Sequence, residues 1–284
     1  MIRFEYYRPK SLEEVWELKE KIPDARFIAG GTDVMVGIRN GEISPPALIS
    51  LRSFPGLDNI EVDKTTRIGA LATIRDLIHH PSIVDKFPIL VQAAKELGSP
   101  QIRNVATVGG NLCNCSPCAD MVPPLLVLDA RVRLQSSRGS RIITLEELFV
   151  GPGESCLAPH EILTDILLEP PHHSAKAIYL KKGRMKMDLA VASVALLVEM
   201  EGEKCHKVRI AAGSVAPVPL RLKKVEALIE EATLTRSLIS QAQKLAAESV
   251  VPITDIRASE EYRREIVGIF VKRALEKILE RKSA

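Results

Sequence analysis

Two glycine doublets in this sequence have the surroundings of an anion-binding loop. Gly30 and Gly31 follow a short apolar segment, and Gly109 and Gly110 are followed by Asn111. Glycines at the end of a strand let successive backbone N–H groups point at one anion without obstruction by Cβ atoms. Two such loops could hold a diphosphate from both sides. The alternative is a pair of tight turns, which either doublet alone would favour.

The usual phosphate-binding and catalytic signatures do not fit these segments. Neither doublet reads G-x-G-x-x-G before a clear helix, which disfavours a Rossmann site, and no G-K-[ST] follows as in a P-loop. The sequence also has no G-x-S-x-G, no H-E-x-x-H and no evident pair of carboxylates for acid–base catalysis. A bound cofactor that carries the chemistry therefore fits better than an enzyme that works through its own side chains.

Asp120 lies in a segment, residues 109–129, that is otherwise uncharged up to Asp129. A carboxylate in apolar surroundings is costly unless it accepts hydrogen bonds. Asp120 could accept them from ribose hydroxyls or from a ring N–H. The alternative is that it caps a helix beginning near Met121.

Three clustered cysteines raise the question of a metal site. Cys113, Cys115 and Cys118 are one thiolate short of a tetrahedral site, and their C-x-C-x-x-C spacing is not the usual one of C-x-x-C pairs. Cys156 could be a fourth ligand. Small buried side chains that line a site are the favoured alternative, so we expect no metal here.

A basic cluster surrounds Gly183 and consists of Lys181, Lys182, Arg184 and Lys186. It could place positive charge against a phosphate or an electron-rich ring, or it could be the solvated tip of a hairpin.

Composition excludes several classes of protein. The 284 residues include 39 Lys and Arg and 36 Asp and Glu, and the net charge of +3 is too small for a polybasic nucleic-acid binder or an acidic tail protein. Aromatic residues at 4% are too few for stacking platforms. The first ten residues contain no apolar run, and residues 189–198 are too short to span a membrane. With five cysteines, an odd number, we expect thiols in the cytoplasm.

The elements that must position these residues begin with a small β-α-β unit. Ser11 and Glu14 form a predicted capping box for a helix to Lys21. Residues 26–29 and 47–51 are predicted strands, with a possible helical turn between them. Further strands are predicted over 66–74, 130–135 and 161–168, the last half exposed, and a helix over 89–97. Pro170 and Pro171 indicate a boundary.

The last third is predicted to be an antiparallel meander followed by two long helices. The strands are residues 177–181, 190–199 and 208–212, with Gly202 in a turn, and the helices are residues 220–249 and 259–281. Strands dominate the middle of the chain and helices its end, so the fold class is α+β rather than a regular β-α alternation.

The segments AGGTD (29–33) and ATVGGNLCNCSPCAD (106–120) resemble the two flavin-contacting motifs of one family, the FAD-binding medium subunit of the molybdenum hydroxylases. This family includes xanthine dehydrogenase and the aerobic molybdenum carbon monoxide dehydrogenase. The resemblance covers essentially the whole chain. It implies a flavoprotein fold of the vanillyl-alcohol oxidase/MurB type, with FAD-binding α+β subdomains over 1–55 and 56–172. A C-terminal domain over 173–284 would have a three-stranded antiparallel sheet and helices.

The resemblance implies FAD as the cofactor and no catalytic side chain. The first loop would wrap the FAD diphosphate and the second would contact it from the other side. The implied cofactor-binding residues are Phe27, Ile28, Ala29, Gly30, Gly31, Thr32, Asp33, Val34, Leu97, Ala106, Thr107, Val108, Gly109, Gly110, Asn111, Asp120, Leu163 and Lys181.

The family also implies electron relay. Electrons would pass from two 2Fe-2S clusters of a small subunit to FAD on this chain and then to NAD⁺, O₂ or another acceptor. A large molybdopterin subunit would oxidise the substrate, and the complex would be a dimer of heterotrimers. A free-standing flavin oxidoreductase of the same fold is the alternative, and a thiolate metal protein is a third hypothesis. One branch of the family carries a 4Fe-4S cluster on a long insertion, which is absent between Asn111 and Asp120.

Overall fold

The computed structural model describes residues 3–52 and 54–280. The first unit is a parallel three-stranded sheet with two helices, and the strand order is β1-β3-β2. Its elements are β1 (Glu5–Tyr7), α1 (Leu12–Lys21), β2 (Arg26–Ile28), α2 (Val34–Asn40) and β3 (Ala47–Ser50). The predicted β-α-β unit is therefore confirmed. Ser11 accepts the Glu14 N–H, but the Glu14 carboxylate accepts the N–H of Lys10, so only half of the predicted capping box forms.

The second unit is a five-stranded antiparallel sheet covered by short helices, with strand order β4-β5-β10-β6-β7. Its elements are β4 (Ile60–Val62), β5 (Thr66–Gly69), α3 (Ile74–His79), α4 (Pro81–Lys86), α5 (Pro88–Glu96), α6 (Pro100–Arg103), α7 (Val108–Cys113), α8 (Val122–Val127), β6 (Arg131–Ser136), β7 (Gly139–Thr144), α9 (Leu145–Leu148), β8 (Phe149–Gly151), β9 (Glu154–Ser155) and β10 (Ile162–Leu168). The strands β8 and β9 form a separate hairpin.

The strand predicted over residues 66–74 ends early. It stops at Gly69, and α3 begins at Ile74 with Thr73 as its N-cap. The Thr73 hydroxyl accepts the Asp76 N–H, and the Asp76 carboxylate accepts the Thr73 N–H in return. This capping box fixes a helix start that the continuous apolar pattern conceals.

The expectation that residues 161–168 form a half-exposed strand is wrong. All seven residues of β10 are buried, because β10 is the central strand and both faces of the sheet are covered there. Its one acidic residue, Asp165, is compensated by two guanidinium groups, from Arg67 at 2.6 Å and Arg133 at 3.0 Å. The alternation of apolar and polar residues in β10 therefore does not mean that one face of the strand is exposed.

The third unit is a four-stranded antiparallel sheet with three helices, in strand order β11-β12-β13-β14. Its elements are β11 (Lys176–Lys182), β12 (Ala192–Glu201), β13 (Lys204–Gly213), β14 (Leu220–Arg221), α10 (Lys223–Ile229), α11 (Arg236–Glu248) and α12 (Glu260–Glu280). The predicted meander and the turn at Gly202 are confirmed, and β14 is a fourth strand where three were expected.

The single helix predicted over residues 220–249 is wrong, since two helices and a short strand occupy this segment. Glu231 adopts a left-handed φ of 61°, which ends α10, and the Thr235 hydroxyl caps α11 by accepting the Leu238 N–H. The last helix agrees with its prediction over 260–280. Its expected end at Arg281 lies outside the described residues.

The third sheet is buried on both faces. Along β12, Ala195 and Leu197 join the core of the second unit, whereas Val194, Leu196 and Val198 pack against the C-terminal helices. Successive side chains of a strand point to opposite faces, so the continuous apolar run of β12 connects two cores. No helix of the described residues is long and apolar enough to cross a membrane. The divisions at 55/56 and 172/173 stay predictions.

Candidate binding site

A cleft of about 600 Å³ opens between the first and second units, with a contribution from the third. Its volume lies in the range typical of small-molecule and cofactor sites, about 300–1,000 Å³. The two glycine segments, which are about 80 residues apart in the sequence, both line it. The fold therefore brings together the two segments that were predicted to bind one ligand.

The first glycine loop connects β2 to α2 and presents free backbone donors. Gly31 has a φ of 78°, which a residue with a Cβ atom adopts only with strain. Within the described residues, the backbone N–H groups of residues 30–34 donate to no protein acceptor. Consecutive unpaired N–H groups in a loop form an anion-binding concavity. This loop has the donors that a diphosphate requires.

Gly30 is required where the two loops touch. A Cβ atom placed on Gly30 would lie 2.0 Å from the carbonyl oxygen of Val105, on the segment that leads into the second loop. A contact of that length is impossible without displacement of the backbone. The absence of a side chain at Gly30 therefore sets the separation of the two sides of the cleft.

The second doublet differs from its prediction, because it lies in the first turn of the short helix α7 and not at a strand end. Its N–H groups already have acceptors within the chain. Gly109 donates to the Ala70 carbonyl at 2.8 Å, Gly110 donates to the Thr107 hydroxyl at 3.0 Å, and Asn111 donates to the Thr107 carbonyl at 3.0 Å. The expectation that successive amides of this loop point at an anion is therefore wrong.

The glycines of the second loop instead permit close packing. A Cβ atom on Gly109 would lie 2.6 Å from that of Ala70, and one on Gly110 would lie 2.8 Å from the capping hydroxyl of Thr107. The side-chain oxygen of Asn111 accepts the Met121 N–H at 3.3 Å. The second loop thus forms a smooth wall opposite the donors of the first.

Asp120 is buried at the cleft wall and paired. One carboxylate oxygen accepts the Tyr179 hydroxyl at 3.0 Å, and the other accepts the Lys181 ammonium at 2.7 Å. Burial raises the pKa of Asp120, and the positive charge of Lys181 opposes this increase. The capping alternative is wrong, because α8 begins at Val122 with Met121 as N-cap.

All but two of the residues predicted to bind a cofactor line the cleft. They are Phe27, Ile28, Ala29, Gly30, Gly31, Thr32, Asp33, Val34, Leu97, Ala106, Thr107, Gly109, Gly110, Asn111, Asp120 and Leu163. Val108 is fully buried behind the second loop. Lys181 lies behind Asp120, with a side chain that is 4% exposed.

The hairpin between β11 and β12 also contributes to the cleft, and no motif in the sequence predicted this. Met187, Asp188 and Leu189 line the cleft, and Met187 has a left-handed φ of 71°. In the basic cluster beside them, the Arg184 guanidinium pairs with Asp188 at 2.9 Å, whereas Lys182 and Lys186 are exposed. The signal in the sequence for this contribution was the pair of methionines at the hairpin tip, Met185 and Met187, which are both exposed. Leu71, Ile102, Leu157 and Ile162 add apolar wall that the motifs did not indicate.

Two of the cysteines near the cleft, Cys113 and Cys115, are held as thiols. Cys113 and Cys118 line the cleft and Cys115 is buried. Burial raises the pKa of Cys113 to about 12 and that of Cys115 to about 11, with Cys156 adding to both increases. Metal binding requires thiolates. Residues 3–52 and 54–280 contain no group of three or more His, Cys, Asp or Glu side chains that could hold a metal ion.

The cleft as a whole fits a dinucleotide. Free amides on one side can bind a diphosphate, and the apolar side chains of Leu71, Leu97, Ile102 and Leu163 can bury flat rings. Asn111 and Asp120 add polar groups for hydroxyls. A few convergent polar groups in a mostly apolar cleft are the usual composition of a cofactor site.

Comparison with known proteins agrees with this chemistry. Residues 2–170 match the FAD binding domain in molybdopterin dehydrogenase, and residues 177–278 match the CO dehydrogenase flavoprotein C-terminal domain. The nicotinate dehydrogenase FAD-subunit of Eubacterium barkeri is 33% identical over 278 residues, which are 95% of this chain and 94% of that protein. The carbon monoxide dehydrogenase medium chain of Afipia carboxidovorans is 31% identical over 276 residues, which are 96% of each chain.

Solved structures give the same result at the level of the fold. Carbon monoxide dehydrogenase from Hydrogenophaga pseudoflava superposes with a TM-score of 0.94 at 30% identity, over 96% of each chain. The first matched domain coincides with the first and second units of the fold, and the second matched domain coincides with the third sheet and its helices. The chain therefore belongs to the family of FAD-binding subunits of molybdenum hydroxylases, and it is an oxidoreductase subunit of α+β fold with FAD as its cofactor.

Proposed function

We propose that this chain binds one FAD in the cleft and transfers electrons within a molybdenum-containing hydroxylase or dehydrogenase complex. The observation that carries the proposal is the row of free backbone N–H groups at residues 30–34, opposite the wall formed by the second glycine loop. A bound flavin accepts and releases electrons singly or in pairs. The chain itself supplies binding, orientation and exclusion of water.

Different residues of the cleft bind different parts of the cofactor. The amides of residues 30–34 hold the diphosphate, and the polar groups of Asn111 and Asp120 bind hydroxyls or a ring N–H. Leu97 and Leu163 provide apolar contact for the rings. Val108 and Lys181 act from behind the wall, because neither reaches the cleft surface.

The partners we propose are a small subunit with two 2Fe-2S clusters and a large molybdopterin subunit, as a dimer of heterotrimers in the cytoplasm. Electrons enter from the iron–sulfur subunit and leave to NAD⁺, O₂ or another acceptor. The names of the relatives support this assignment, since they are the FAD-subunit or medium chain of dehydrogenases. An odd number of cysteines, five in all, agrees with a reducing compartment.

The test is to purify the tagged full chain from its own cells and identify what accompanies it. We expect a yellow protein that releases about one FAD per chain on heating, together with two other chains, one containing iron and acid-labile sulfide and one containing molybdenum. Reconstitution of colourless protein with added FAD is the control. A chain that neither retains nor takes up FAD would refute the flavin site. A flavin-loaded chain that turns over a donor without other subunits would favour a free-standing flavin oxidoreductase.

A further inference from the structure

The wall of the cleft contains a charged pair that no motif of the first two units explains. Asp120 belongs to the second unit, and its two hydrogen-bond donors, Tyr179 and Lys181, belong to β11 of the third. The Asp120 and Lys181 side chains are 6% and 4% exposed. An ionised pair at that depth is retained only with close geometry and satisfied hydrogen-bonding groups.

The pair is part of a larger connection between elements. Lys181 also donates to the carbonyl of Glu96, at the end of α5, at 3.0 Å. From the same helix, the side-chain oxygen of Gln92 accepts the backbone N–H of Tyr179 at 3.1 Å. Strand β11 is therefore attached to α5 by two hydrogen bonds. These bonds fix the positions from which Tyr179 and Lys181 bind Asp120.

We propose that Lys181 is a positioning residue for the flavin site, which holds Asp120 ionised and oriented towards the cleft rather than contacting the cofactor itself. Tyr179 assists by binding the second carboxylate oxygen. The C-terminal domain thereby completes the binding site of the FAD domain. This inference rests on the proposed binding of FAD in the cleft, and it adds how Asp120 is positioned in one wall of that cleft.

The charges around Asp120 determine what loss of the lysine would do. Lys181 and Tyr179 face Asp120 from β11, and Glu96 faces it from the end of α5. Burial and the negative charge of Glu96 raise the pKa of Asp120, whereas Lys181 lowers it. Without the lysine, Asp120 takes up a proton at higher pH and loses an acceptor for the hydroxyls or ring N–H of FAD.

The experiment measures the dissociation constant for FAD with the apo form of the full chain, between pH 6 and pH 9. The variants are Lys181→Met, Asp120→Asn and the double variant, with Lys182→Met as a matched control on the exposed side of the same strand. We expect Lys181→Met to weaken FAD binding at least about tenfold at pH 7. The loss should diminish as pH rises, because Asp120 is then ionised again. Lys182→Met should bind like the unaltered chain.

The double variant separates positioning from direct contact. If the lysine acts only through Asp120, Lys181→Met has little further effect in the Asp120→Asn background. Equal weakening in both backgrounds, with no pH dependence, would overturn the inference and indicate direct contact with FAD. If Lys181→Met does not fold, Tyr179→Phe provides the same cycle with a smaller loss. An unaltered chain that binds no FAD would refute the proposed function, whereas normal binding by Lys181→Met would refute only this inference.

Discussion

At the scale of single residues, Cys113 shows that position decides the reactivity of a side chain. Its thiol lies at the cleft wall beside the buried Cys115, in surroundings that disfavour a negative charge. The resulting pKa values are about 12 for Cys113 and about 11 for Cys115. Because the thiolate is the nucleophile, both residues should be nearly inert at neutral pH.

We therefore predict slow alkylation of Cys113 and Cys115 in the native chain. At pH 8 their rates should be roughly two to three orders of magnitude below that of an unperturbed thiol, because the thiolate fraction is smaller by that factor. The rates should rise about tenfold per pH unit up to pH 10, since both pKa values lie higher. Mass spectrometry after timed labelling measures each cysteine separately. Denatured protein, in which all thiols should react alike, is the control, and a plateau below pH 10 would contradict the prediction.

At the scale of elements, the second wall of the cleft depends on a six-residue helix with one capping hydroxyl. Thr107 accepts the Gly110 N–H and is itself buried. We predict that Thr107→Ala lowers the free energy of unfolding by about 1 kcal/mol, as loss of an N-cap does. It should also reduce the FAD retained per chain, because α7 forms the wall opposite the free amides. Urea denaturation and flavin content measure the two effects.

Thr235→Ala is the matched control for that experiment. Thr235 caps α11 through the same kind of bond, at 3.2 Å to the Leu238 N–H, but lies outside the cleft. Thr235→Ala should lower the free energy of unfolding by a similar amount and leave the FAD content unchanged. Loss of flavin from Thr235→Ala, or full flavin content in a destabilised Thr107→Ala, would show that the cap of α7 does not support the site.

The elements that the sequence predicts well are those whose signals are local. The cap at Ser11, the turn at Gly202 and the apolar period of α12 each depend on residues that are close together in the sequence. Two of the failures have distant causes. The buried β10 depends on guanidinium groups from two other strands, and the amides of Gly109 and Val108 are satisfied by carbonyls of Ala70 and Ala72. No local pattern shows such partners.

The same distinction applies to the site. The glycine motifs predict the two loops and the cleft residues that belong to them, because their composition reflects close backbone approach. They do not predict which loop has free donors, since the acceptors of Val108 and Gly109 are the carbonyls of Ala72 and Ala70, which follow β5. The hairpin residues Met187 and Leu189 were missed because they belong to the third unit, 67 and 69 residues beyond the end of the second motif at Asp120.

At the scale of the whole molecule, the FAD-binding units and the C-terminal domain share a buried junction. Beside the apolar contacts of β12, Arg221 connects the two parts. Its guanidinium donates to Asp129 at 2.9 Å and to the Leu126 carbonyl at 3.3 Å in the second unit, and to Glu226 at 2.8 Å in the third. The Arg221 and Glu226 side chains are each 8% exposed. Removal of the arginine would leave a buried carboxylate without its counter-ion.

We predict that Arg221→Met lowers the free energy of unfolding of the full chain by about 3–5 kcal/mol, the usual cost of breaking a buried pair from one side. Lys223→Met is the matched control, because its pair with Glu146 at 2.8 Å also joins the second and third units but is largely exposed. That variant should lose at most about 1 kcal/mol. Urea denaturation followed by circular dichroism and by flavin fluorescence measures both losses. Because the junction carries Asp120 and its partners on opposite sides, the two signals should shift together in Arg221→Met. Equal stabilities of the two variants would show that the junction depends on its apolar contacts alone.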